Sequence, residues 1–314
     1  MIFHRALVLF ALFLLCPTLT TGLAQLQVNV SLKRSLYISY EPLIINVTAQ
    51  NLSGNSLHLR DSDSAPWFGF QIETLDGRPV AARSSRYSNS PIMIPAGGKI
   101  SRAINLTPLY PIAEFGGYRV RANIYDASRQ KYHTSPPLTF TITEGRPLYK
   151  KTVGVPTNQS GGGGVRHITL MTHRLPDSTQ LYLRIEDGNT GSIYCAHRLG
   201  RIVSYDTPKI ELDANNRIHI LQNIAPKAFL YSHIGLNGEV LDRKTYNQIR
   251  NRPGLQQTAD GGYQVVGAAL IDPEAAAAIA EQPLPSLSDR PVSLPEGNDI
   301  SQPADARPKN LLSR

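Results

Sequence analysis

The sequence predicts an all-β protein: an N-terminal antiparallel β-sandwich, a second antiparallel β-domain and a disordered Pro-rich C-terminal tail. Three observations lead there. Short segments of alternating apolar and polar residues recur along most of the chain, the period-2 signature of half-buried strands. Asp-Gly, Gly-Gly and Asn-Gly pairs punctuate the gaps between them, as hairpin turns require. From Glu274 onward the alternation stops, and prolines recur from Pro283 to Pro308, so little apolar surface can be buried there.

Residues 1–24 read as a secretory signal. Arg5 supplies the positive start, and Ala6 to Cys16 forms an apolar run too short to span a bilayer comfortably. Gly22 and Ala24 offer small residues for cleavage after Ala24. Cys16 invites a lipoprotein reading, but Leu15 stands where a small residue would be expected. The exported product then has no stable membrane anchor, and Cys195 is its single thiol, so no internal disulfide forms. Its place in "GSIYCAHRL" suggests a strand and a buried small hydrophobe rather than a nucleophile.

Residues 25–145 form the first module. "LQVNVSL", "EPLIINVTAQN", "WFGFQIE", "IMI", "KISRAINL", "GGYRVRANIYD" and "PLTFTIT" are its strands, with turns at Asp76-Gly77 and Gly97-Gly98. Pro42 falls at a strand start, where a missing donor is tolerated. "SYEPLIINVTAQNLSGNSLHL" and "FGGYRVRANIY" resemble bacterial Ig-like modules, the second with Tyr118 placed like a corner tyrosine. That resemblance implies a sandwich fold and no particular function.

Residues 146–164, with "RPLYKKTVGVPTNQSGGGG", read as a linker or long edge loop. The four glycines lack a following Gly-Lys-Ser/Thr, so they do not form a phosphate cradle. Residues 165–272 are the second β-rich module: "VRHITLM", "LYLRIED", "SIYCAHR", "KIELD", "RIHILQN", "AFLYSHI", "EVLD" and "YQVVGAALI". "LDANNRIHIL" and "FLYSHIGLNGEV" resemble one repeat of bacterial β-propellers. There is room for too few blades to close one, so a small sandwich or an open sheet against the first module is expected. Residues 273–314 are the tail, in which "EAAAAIAE" could make two helical turns.

The chain carries 32 Lys and Arg against 24 Asp and Glu, a formal net charge of +8. The excess is spread thinly, unlike the focused patch of a nucleic-acid binder. It suits attraction to anionic cell-surface polymers instead. No HExxH, CxxC or GxSxG motif occurs, and no catalytic, cofactor-binding or metal-ligating residue is assigned.

Four residues are binding candidates. Trp67 and its neighbour Phe68 must point to opposite faces of a strand, which could leave one ring as a stacking platform for sugar. His219 and His233 could face each other if their strands pair through the Ile224–Lys227 turn. Asp213 and Asn215-Asn216 read as the turn before His219, because calcium would need further alternating oxygen donors. The expected function is non-catalytic binding or scaffolding at the bacterial cell envelope, with an envelope protein or polysaccharide as partner. The alternatives are an inhibitor or accessory module of a secreted hydrolase, using Asp76–Ile92 as its loop, and a divergent hydrolase.

Overall fold

The computed structural model describes residues 26–62, 65–83, 90–158, 161–203 and 206–283. The signal reading and most of the Pro-rich tail lie outside the described residues, as does the middle of the Ser-rich segment.

The first module contains β1 (Leu26–Leu32), β2 (Leu36–Ile38), β3 (Ile44–Asn51), β4 (Leu57–Leu59), β5 (Phe68–Thr74), β6 (Ile92–Ile94), β7 (Lys99–Asn105), β8 (Gly116–Asp126), β9 (Lys131–Thr134) and β10 (Leu138–Thr143). One sheet runs β1-β3-β7; the other runs β2-β10-β8-β5, with β9 on β8 and a short β4-β6 ladder alongside. All pairs are antiparallel except β2, which runs parallel to β10. The alternation places Val28, Ile45, Val47 and Ala49 of one sheet against Ile72, Val120, Ala122 and Phe140 of the other, in a single core. Tyr118 is buried, and its hydroxyl donates to the Glu114 carbonyl at 2.8 Å.

The second module contains β11 (Arg146–Gly154), β12 (Val165–Arg174), β13 (Thr179–Asp187), β14 (Ile193–Arg201), β15 (Lys209–Leu212), β16 (Ile218–Ala225), β17 (Ala228–Ile234), β18 (Val240–Gln248), β19 (Gly254–Gln257), β20 (Tyr263–Val266) and β21 (Ala268–Leu270), then helix α1 (Pro273–Glu281). It is built from two antiparallel meanders, β11-β12-β13-β14 and β15-β16-β17-β18, the latter extended by β21. Ile168, Leu170, Leu183 and Ile185 of the first share a core with Ile218, Ile220 and Ile234 of the second. The β19–β20 hairpin covers the other side of β16–β18, with Leu255 and Val265 on Leu221, Phe229 and Tyr231.

One sequence reading is corrected here. Residues 146–154 are no linker: β11 pairs with β12 along its length, with a register shift between Pro147 and Tyr149. As an edge strand it exposes most of its side chains and turns only Tyr149 and Val153 inward, so its alternation is faint. Only the Gly-rich end remains a loop, with Gly163 donating to the Val155 carbonyl at 3.0 Å. The helical turns expected of "EAAAAIAE" form α1, which Asp272 caps by accepting from Glu274 N at 2.9 Å, and proline suits the first turn. Ile279 then packs on Ile224, Ala228 and Leu230.

The modules meet at a buried polar triangle. Arg34 pairs with Glu41 and donates to the Tyr182 hydroxyl at 2.9 Å, and that hydroxyl donates to Glu41 at 3.2 Å. Ile38 packs on Met171 and Tyr182 beside it, and Thr143 bonds His173 Nε2 at 2.7 Å.

Candidate functional site

Trp67 and Phe68 are both core residues, 1 % and 5 % exposed. The chain bends at Trp67, ahead of β5, and Asp61 fixes that bend by accepting from Trp67 N at 2.9 Å. Strict alternation has not begun, so neither ring serves as a surface platform.

His219 and His233 do face each other, as direct partners in the β16–β17 register. Their rings stack 4.2 Å apart at 17°. Asp213 joins them from the turn before β16. Its Oδ1 accepts from Asn215 N and Arg217 N, both at 2.8 Å, while Asn216 adopts a φ of 58°. The turn reading of this stretch therefore holds. It also leaves Asp213 Oδ2 facing His219 Nε2 at 3.5 Å, an ion-pair contact at the outer edge of hydrogen-bond distance.

His219 is 2 % exposed and bonds the Tyr231 hydroxyl through Nδ1 at 2.7 Å. Burial lowers the pKa of both histidines, and His219 lowers that of His233 further, so both are neutral imidazoles at neutral pH. Burial first, and Asp242 second, push Tyr231 up to about 12, which keeps it a neutral phenol. Tyr263 of the covering hairpin lies 5.3 Å from the His219 ring. Asp242 and Asp260 line the same cleft of about 390 Å³. The sequence shows the histidine pairing, but not that a turn-capping aspartate has a second oxygen free to face it.

A second cleft, of about 620 Å³, lies where the modules meet α1 and was not apparent from the sequence. Lys33, Arg198, Arg201 and Arg243 line it, against Asp177 and Glu281. A bulge in β14 opposite Leu181 and Tyr182 sets its shape. It turns the Leu199 carbonyl to accept from Arg243 at 2.6 Å, and Gly200 beside it, with a φ of 112°, leaves the space open. Arg198 donates to Gln180 at 3.0 Å, and Arg201 donates to the carbonyls of Ile224, Ile279 and Gln282, closing the C-terminal end of α1. Burial, then repulsion from Arg198, lowers the Arg243 pKa. No sequence run announces this cleft, because its cations come from three separated segments.

Cys195 packs against the Asn237-Gly238 turn, so close that a Cβ on Gly238 would fall 2.7 Å from its own Cβ. Burial pushes the thiol up to about 11. With the thiolate so disfavoured, it should react with a maleimide roughly a hundredfold more slowly in native protein than in urea at the same pH. Equal rates would show an accessible, activated thiol instead.

Compared with known proteins, the chain matches no family model and no curated protein.

Proposed function

We propose that the protein is exported and acts at the bacterial cell envelope as a non-catalytic binding protein that holds an acidic polymer in the basic cleft. The observation that carries this is the clustering of Arg198, Arg201, Arg243 and Lys33 around one opening, where no carboxylate ion-pairs with any of the three arginines among the described residues. Cations held close together by other bonds attract an anion strongly when solvent is partly excluded. The buried junction makes the two modules one platform for such a ligand. We also assign the first module to the Ig-like class. The parallel β2–β10 pair, the two sheets and the Tyr118–Glu114 bond, a tyrosine-corner contact, support that assignment. The two four-stranded meanders are consistent with propeller-type blades packed as a pair.

The test is retention. Protein produced from residue 25 onward should be held by an acidic polysaccharide component of envelope extracts and released as salt rises. Retention only by neutral components, or insensitive to salt, would remove the acidic polymer from the account. A second reading, a divergent hydrolase, draws on the Asp213–His219–Tyr231 alignment alone. It would replace the first if ester or glycoside turnover disappeared on His219→Ala.

A further inference from the structure

We propose that Asp213, His219 and His233 form a binding site for one divalent transition-metal ion of the zinc class, open on one side to the cleft. The site is separate from the basic cleft, and either can exist without the other.

Three separate pieces of geometry point to an ion. The first is convergence: one ligand atom from each residue lies within 4.8 Å of the others. Zinc bound at about 2.0–2.1 Å spreads tetrahedral donors to about 3.4 Å apart, and Asp213 Oδ2 to His219 Nε2 is already 3.5 Å. Second, both Nε2 atoms are buried without a well-formed hydrogen bond, and the polar group facing His219 Nε2 is the Asp213 carboxylate at 3.5 Å. A buried polar atom poorly matched is costly, and His219 is 2 % exposed. Third, each inner ligand is already held from behind. Asp213 is fixed through Oδ1 by two backbone amides, and His219 through Nδ1 by Tyr231. A metal-binding imidazole characteristically bonds an oxygen through its other nitrogen in this way.

His219 can take either tautomer against the Tyr231 hydroxyl; in the one where Nδ1–H donates to the Tyr231 oxygen, the Nε2 lone pair faces the Asp213 carboxylate, an arrangement a cation resolves. Neutral nitrogen with one carboxylate suits a borderline ion better than calcium, which prefers oxygen alone. The near-parallel stack must open for both nitrogens to reach one ion, and the half-buried His233 makes that movement. The remaining coordination faces the cleft, where Asp242 and Asp260 add negative charge against Arg217.

Chelator-stripped protein, titrated with zinc chloride in a calorimeter, should take up one equivalent. At a hundredfold excess over Kd its melting temperature should rise by about 5–10 °C. His233→Gln and Asp213→Asn should each weaken uptake at least a hundredfold. Tyr231→Phe, which removes the positioning hydroxyl, should weaken it about 10–100-fold, and should lower melting in chelator by a few degrees because His219 Nδ1 loses its partner. Imidazole ¹⁵N spectra of the unaltered protein test the site without any substitution: zinc should move Nε2 of both His219 and His233. No saturable uptake, uptake undiminished in a folded His233→Gln protein, or Nε2 signals that stay still would overturn the site. In that case an Asp–His–Tyr hydrogen-bonded relay without metal is what remains.

Discussion

Glu41→Ala is expected to destabilise the protein by about 3–5 kcal/mol, because it leaves the Arg34 charge at the module junction without its counter-ion. The Glu41 side chain is 3 % exposed and that of Arg34 16 %, so water cannot replace the lost carboxylate well. Tyr182 would lose its acceptor in the same step, and its hydroxyl has no solvent to turn to. The midpoint of thermal unfolding should fall by about 8–15 °C. The paired substitution Arg34→Met with Glu41→Leu should cost far less, since replacing a whole buried pair by apolar residues is often close to neutral. Two equal losses would mean that the pair matters for shape rather than for charge balance.

Trp67→Ala should cost about 3–5 kcal/mol by opening a cavity in the sandwich core. Trp67→Phe should cost much less, because the indole N–H has no hydrogen-bond partner among the described residues. Trp67 is the only tryptophan in the chain, so its fluorescence reports this position alone. Emission should be blue-shifted, resist iodide quenching, and stay unchanged when polysaccharide is added. A ligand-dependent shift would return Trp67 to the binding surface.

Most strands were legible because half-buried strands alternate, as "EPLIINVTAQN" and "GGYRVRANIYD" do. The segments that sequence reasoning missed are short or exposed. β2, β4, β9 and β19 have three or four residues, so a period registers poorly there, although the equally short β6 and β15 were read, and β11 shows most of its side chains to water. The Trp67–Phe68 error has the same origin, since alternation was applied one residue before the strand began. At the histidine cleft, the pairing of His219 with His233 followed from the turn between β16 and β17. What could not be read was the depth of Asp213 or the arrival of Tyr263 from the covering hairpin. Both depend on packing between elements, which local pattern does not carry. The basic cleft was hidden for the same reason: a bulge in β14 and the docking of α1 bring distant arginines to one opening.

The most direct test of the proposed function is the affinity for an acidic polysaccharide, such as polygalacturonate, measured across ionic strength for the unaltered protein and for the Arg198→Gln/Arg243→Gln variant. The expected result is saturable binding that weakens as salt rises, and about 10–30-fold weaker binding in the variant at low salt, as for two lost contacts of about 1 kcal/mol each. Equal affinity of the two folded proteins, or binding indifferent to salt, would contradict it.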